Sequence, residues 1–281
     1  MAHKVHMGYM GNLVLGYRGN TTPLLCSDMD EAVDSSPKFY DHIQGLRDKD
    51  VTKMTKGPAP AGSTAVGGTK LIQKKFYRYS PRRYTVRANG PVPEQDVDAL
   101  LQWAISGDVA PVDCIFWKSG KGRRLKDAVV SSLALAVKAG EVATYTVEVV
   151  GLGFNDTALS VQPVDCKKLV TWDACHIVIG GNDSGLQDFS ITISNPIVPI
   201  YVANSLDPKT LRIAVQEVTG SFSAYGWDEP TGDTLQFTFG GNKRYELHIV
   251  YGGRSEKGNA GPIINTTPFF GTKDTPLWTI T

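Results

Sequence analysis

The chain has 281 residues, 41% of them hydrophobic, with 29 Lys plus Arg against 28 Asp plus Glu. A net charge of +1 excludes a protein that coats nucleic acid or a membrane surface by bulk electrostatics, so any charged function must be local. No stretch approaches the ~20 uncharged apolar residues of a membrane-spanning helix, and residues 1–20 lack the basic-then-apolar layout of a signal peptide; a soluble protein made in the cytoplasm is expected, with no membrane partner.

Cys26, Cys114, Cys166 and Cys175 lie far apart with no CxxC pair. This fits neither a disulfide framework nor a zinc site, and reduced, packed thiols are expected. From Thr21 to Gly68 there is little sustained periodicity, and the run Gly57-Pro58-Ala59-Pro60-Ala61-Gly62-Ser63 closes the segment. Residues 1–70 therefore read as an amino-terminal segment and extended arm, and an arm of that length points to binding. Residues 71–281 read as one β-rich domain. Lys75 to Tyr79 and Arg83 to Arg87 are short aromatic and β-branched strands broken at Ser80-Pro81. A helix is predicted over residues 93–106, with Pro93 in its first turn, Gly107 as its cap, and Val97, Leu100, Leu101, Ala104 and Ile105 as its apolar stripe.

The strongest pattern runs from Val129 to Val150. Leu133, Leu135 and Val137 alternate with small or polar residues up to Ala139-Gly140, after which Tyr145, Val147 and Val149 alternate with Thr144, Thr146 and Glu148. This predicts a long hairpin with arms of roughly 30 Å. A second pair follows: Phe189, Ile191 and Ile193, then Leu211, Ile213 and Val215, with a parity change near Gln216-Glu217 that predicts a β-bulge. Strands at Thr234 to Phe239, Tyr245 to Tyr251 and Ile263 to Phe269 complete the pattern.

Each long strand offers one apolar face, which must pack on a second layer, and one face of Ser, Thr and Ala that lacks the usual Lys and Glu of solvent faces. One remedy for long exposed edges is closure against other copies, and a lumen wide enough for water takes about 16 or more strands. Such a lumen would be lined by Thr144, Thr146, Glu148, Ser190, Thr192, Ser194, Arg212, Gln216, Thr219 and Ser221. A wall poor in Lys and Arg suits DNA passage, because each cation that meets a phosphate strengthens binding through counterion release. Pattern alone does not separate this arrangement from an ordinary sandwich with one wet face.

Two hairpin regions and a closing strand carry a family resemblance. Val129-Val130-Ser131-Ser132-Leu133-Ala134-Leu135, Ala139-Gly140-Glu141-Val142-Ala143 and Val147-Glu148-Val149-Val150-Gly151 resemble the first long hairpin of bacteriophage tail tube proteins. The run Asp188 to Asn195 followed by Gln216 to Phe222 is similar to the second hairpin, and Ile264 to Gly271 resembles the closing strand. The resemblance covers about residues 70–281 and implies a mainly β fold: an antiparallel sandwich or barrel with two long hairpins and one packed α-helix, closing into an oligomeric β-barrel ring. It further implies stacked homohexameric rings forming the conduit for genome ejection. Tape measure protein and then double-stranded DNA would occupy the lumen, and sheath, baseplate or tail terminator proteins would meet the tube in a virion tail assembled in the host cytoplasm. The arm would contact the next ring. Secretion-system tubes and baseplate tube-like proteins share this fold.

Other chemistry is weaker. Lys74, Lys75, Arg78, Arg82, Arg83 and Arg87 interleave with Phe76, Tyr77, Tyr79 and Tyr84, a composition that binds single-stranded nucleic acid on β-strands and defines the alternative reading, a nucleic-acid-binding module using residues 74–87. The run Lys118 to Arg124 reads as a charged hairpin tip. His3 and His6 sit in an amino terminus expected to be mobile. Asp173, Cys175 and His176 lack an elbow motif or orienting third group. Neither a catalytic site nor a metal or cofactor site is expected.

Overall fold

The computed structural model describes residues 11–17, 20–34, 37–41, 75–79, 81–94, 96–116, 122–158, 168–183, 185–225, 232–257, 264–272 and 277–281. The chain divides into two units, Ser35–Pro81 and the remainder. In the smaller unit, β4 (Pro37–Asp41) pairs antiparallel with β5 (Lys75–Tyr79).

The larger unit begins with β1 (Gly11–Tyr17), β2 (Asn20–Cys26) and β3 (Asp28–Asp34). After β6 (Arg83–Pro91) come helix α1 (Val97–Ser106), β7 (Ala110–Phe116), β8 (Gly122–Lys138), β9 (Thr144–Gly151) and β10 (Gly153–Thr157). A 3-10 turn at Trp172–Ala174 leads to β11 (Cys175–Ile179), β12 (Leu186–Ser194), β13 (Ile197–Tyr201), β14 (Pro208–Ile213) and β15 (Glu217–Tyr225). The last strands are β16 (Thr234–Phe239), β17 (Tyr245–Tyr251), β18 (Ser255–Lys257), β19 (Ile264–Gly271) and β20 (Thr279–Ile280).

All pairings are antiparallel, as the alternating hairpin patterns require. The main sheet runs β3-β6-β9-β8-β12-β15-β19. The 17-residue strand β8 serves two sheets: its first half pairs with β7 and β10, its second with β9 and β12. Asp127, in the left-handed region at φ 44°, lies where the partners change. Strand β17 likewise starts beside β16 and β20 and ends beside β19, so it turns the corner between layers.

The core sits between the layers. Leu133, Leu135, Val137, Tyr145, Val147, Phe189, Ile191 and Ile193 point inward from the main sheet. Phe237, Phe239, Tyr245 and Leu247 meet them from β16 and β17, and Leu100, Leu101, Trp103 and Ala104 from α1. Phe189 lies 6.0 Å from the rings of Phe237, Phe239 and Phe269. Each fully buried side chain of this size contributes about 1.5–3 kcal/mol, which is why the apolar faces dictate the register.

Several expectations need correction. Among the described residues no closed barrel is found, the strand order ending in separate edges. The second ribbon is not one bulged strand: β14 pairs with β13, β15 pairs with β12, and the chain leaves the sheet at residues 214–216, where Ala214 N–H donates to Pro196 O. In the main sheet the register shifts fall instead at Val130/Ser132 and Leu186/Asp188. Helix α1 starts at Val97 rather than Pro93, because Val92 and Pro93 are held extended by bonds to Ala143, Val170 and a bridge to Leu169. Gly107 does cap it, at φ 64°. Of the expected arm, residues 20–34 are strands, with Leu24 and Cys26 buried. Most of the remaining arm, His3, His6, Cys166 and the 118–121 tip lie outside the described residues.

Candidate functional site

The face of the main sheet opposite the core is built from rows of cross-strand partners. One row is Asn89, Thr146, Ala134, Thr192, Thr219; the next is Pro91, Thr144, Ala136, Ser190, Ser221; a third is Arg87, Glu148, Ser132, Ser194, Glu217. The two-residue period of β-structure places these side chains on one side because their neighbours, Val147, Leu133, Ile191 and Ile193, are buried on the other. Eight residues predicted to line a lumen, Thr144, Thr146, Glu148, Ser190, Thr192, Ser194, Thr219 and Ser221, share this face.

The hydroxyls are paired where strands abut: Ser190 Oγ and Ser221 Oγ lie 3.0 Å apart. Charges on the face are few. Lys138 stands opposite Asp188, and Glu148 holds Arg87 at 2.6 Å and Arg83 at 3.7 Å. The centre of the face, across β9, β8, β12 and β15, is Thr, Ser and Ala.

Gln216 and Arg212 do not belong to it. Arg212 lies on β14 in the separate two-stranded ribbon. Gln216 is half-buried under the sheet end: its Nε2 donates to Ala104 O (3.3 Å), Ile105 O (3.2 Å) and Asn195 Oδ1 (2.8 Å), and its Oε1 accepts from Trp278 Nε1 (2.7 Å). Asn195, fully buried, donates to Ala104 O and Val130 O. The two amides satisfy carbonyls that the last turn of α1 leaves without helical partners. Sequence reasoning missed Asn195; a buried amide beside Pro196 at a strand end was the available signal.

Of the basic–aromatic stretch, Arg82 to Arg87 do not form an open platform. Arg83 and Arg87 are paired with Glu148 and Arg82 with Asp207, while Tyr84 points into the core and gives its hydroxyl to Asp207. Burial, together with that bond, raises the Tyr84 phenol above its ordinary range. Asp173, Cys175 and His176 offer no activated nucleophile: burial pushes the Cys175 thiol up to about 12, and Asp173 and His176 are exposed. Cys26 is likewise pushed up, to about 11. No cluster of three or more metal-ligating side chains occurs among the described residues, and no helix there is long and apolar enough to cross a membrane.

The described polar surface is a broad sheet face of a mainly antiparallel β protein. The phage tail tube protein family matches residues 45–269, most of the chain, and the chain belongs to that family. The match also covers residues 45–69, outside the stretch that carried the sequence resemblance. No curated protein sequence matches the chain.

Proposed function

We propose that this chain is a tail tube subunit whose copies form stacked homohexameric rings, with the hydroxyl face of β9, β8, β12 and β15 turned to the lumen. The observation that carries the reading is that face: eight side chains in aligned rows, hydroxyl-bearing but for Glu148, which pairs with Arg83 and Arg87. Six copies of four strands give about two dozen, above the roughly 16 an aqueous lumen requires. The stack conducts double-stranded DNA during ejection and encloses tape measure protein during assembly. A neutral to acidic wall of short side chains gives phosphates few cations to bind, so DNA slides instead of adhering. Sheath, baseplate and terminator proteins meet the outside and the ends of the tube in the virion.

Negative-stain microscopy of concentrated full-length protein tests this. Rings or hollow tubes are expected. A discrete compact species at every concentration, with DNA affinity falling steeply with salt, would favour the nucleic-acid-binding module and end the tube reading.

A further inference from the structure

The hydroxyl face changes character at its two margins. At the β19–β17 margin it becomes apolar: Phe270 and Val250 are 49% and 57% exposed and are direct cross-strand partners, with Pro268 one row away. At the β6–β9 margin, β3 pairs with β6 only as far as Asn89, so Gly90 and Pro91 have no described strand outside them. A hollow of about 510 Å³ opens there, bounded by Asn89, Pro91, Val142, Thr144, Thr146 and Leu169 among others, with no charged residue in its lining.

Register links the two features. The row that contains Asn89 and Thr146 continues through Ala134, Thr192 and Thr219 to Phe270, and the row that contains Pro91 and Thr144 continues through Ala136, Ser190 and Ser221 to Pro268. The projection and the hollow therefore stand at opposite ends of the same two rows. A cyclic ring joins each copy to the next through two different patches, and rotation about the ring axis brings one end of a row to the other.

We propose that Phe270, flanked by Pro268 and Val250, packs into the Pro91–Val142–Leu169 hollow of the next copy and is the contact that closes the ring. This rests on the ring reading above. Among the described residues neither surface carries a formal charge, so their contact strands no ion. An aromatic side chain entering a neutral pocket is the kind of anchor that dominates an interface. The apolar margin is then covered by the neighbour, leaving the hydroxyl rows as the exposed wall.

The test places the photo-reactive residue benzoylphenylalanine at Phe270 in the full-length chain, irradiates assembled protein and maps the adducts by mass spectrometry. Adducts between copies on peptides carrying Val142 or Leu169 are expected. Rings that form with adducts elsewhere overturn this contact and leave the ring reading intact, whereas wild-type protein that forms no rings overturns both. In parallel, Phe270→Asp and Val142→Glu should each raise the concentration needed for assembly at least about tenfold. Both side chains are exposed enough for the monomer to keep its near-ultraviolet circular dichroism. If Phe270→Asp unfolds, Phe270→Ala and Val142→Glu give the same readout. Folded variants that assemble at the wild-type concentration refute the contact.

Discussion

Replacing Asn195 with Ala tests the bracket that ties α1 to the end of the main sheet. The side chain is 1% exposed and makes three hydrogen bonds: Nδ2 to Ala104 O at 2.8 Å and to Val130 O at 3.0 Å, and Oδ1 from Gln216 Nε2 at 2.8 Å. Ala104 O keeps its longer bond from Gln216, but Val130 O loses its side-chain donor. Three net bonds of roughly 1 kcal/mol each, plus about 1–2 kcal/mol for the stranded carbonyl, give an expected loss of about 4–5 kcal/mol. That is about a quarter or more of the stability of an ordinary domain, roughly 5–15 kcal/mol. Urea unfolding below the assembly concentration, followed by tryptophan fluorescence, reads it directly, with the slope m unchanged. Gln216→Ala, at a half-buried site that water can reach, should cost about 1–2 kcal/mol and couple to Asn195→Ala by about 0.5–3 kcal/mol in a double-mutant cycle. A loss below about 1 kcal/mol for Asn195→Ala refutes the bracket.

Gly220→Ala should destabilise by about 2–4 kcal/mol in the same assay, because a Cβ there would run into Ser190 O of the adjacent strand and the Phe269 ring, one of them backbone that cannot move aside; a neutral substitution would refute that packing. Thr192→Lys at the centre of the face should leave tubes intact and slow DNA ejection, and unchanged ejection kinetics would place Thr192 away from the lumen. Burial lifts the thiols of Cys26 and Cys175 from 9.0 to about 11 and about 12, and the Tyr251 phenol from 10.0 to about 12. Their neutral forms favour the folded state, so this stability is complete below the unfolded values and is lost as the pH climbs through the folded ones. The melting temperature of the unassembled chain should fall between about pH 9 and pH 12, and a rise over that window would contradict the burial.

The hairpin β8–β9 was legible because burial on one face imposes a strict period of two, and because a turn needing φ 79° stands at Gly140 between its arms. The hydroxyl face followed from the same alternation, since side chains that share parity with buried ones cannot share their side. The β13–β14 ribbon was not legible. Its Leu211 and Ile213 continue the alternation that leads into β15, but Ile197 and Leu211 pack against Val129 and Val150, a small separate cluster no local pattern announces. Gln216 was misplaced for the same reason: parity was carried across residues 214–216, where the chain has left the sheet. Strands β2 and β3 escaped notice because Pro23 interrupts one, and the other is an edge strand that buries chiefly Met29. The two margins of the face were invisible to periodicity, since they depend on which strands lie five places apart in the sheet.

Glu148 holds the electrostatic balance of the face. It is the partner of both Arg83 and Arg87, at 3.7 and 2.6 Å, on an otherwise hydroxyl-bearing β9. As an exposed pair, Arg87 and Glu148 contribute roughly 0.2–1 kcal/mol to stability, so Glu148→Gln should fold and assemble normally. Its consequence for transport is larger. If the face lines the lumen, each copy would present two guanidinium groups that have lost their shared carboxylate, with Asp30 and Asp34 of β3 still opposite them, and each cation that engages a phosphate adds about 0.9 to the salt dependence of binding. Ejection through Glu148→Gln tubes should therefore slow at low ionic strength and recover as salt is raised, whereas Thr146→Gln tubes should show no salt-dependent slowing. Ejection by Glu148→Gln that matches wild type at every salt concentration would mean that these arginines never meet the DNA, and that the conducting wall is some other surface of the chain.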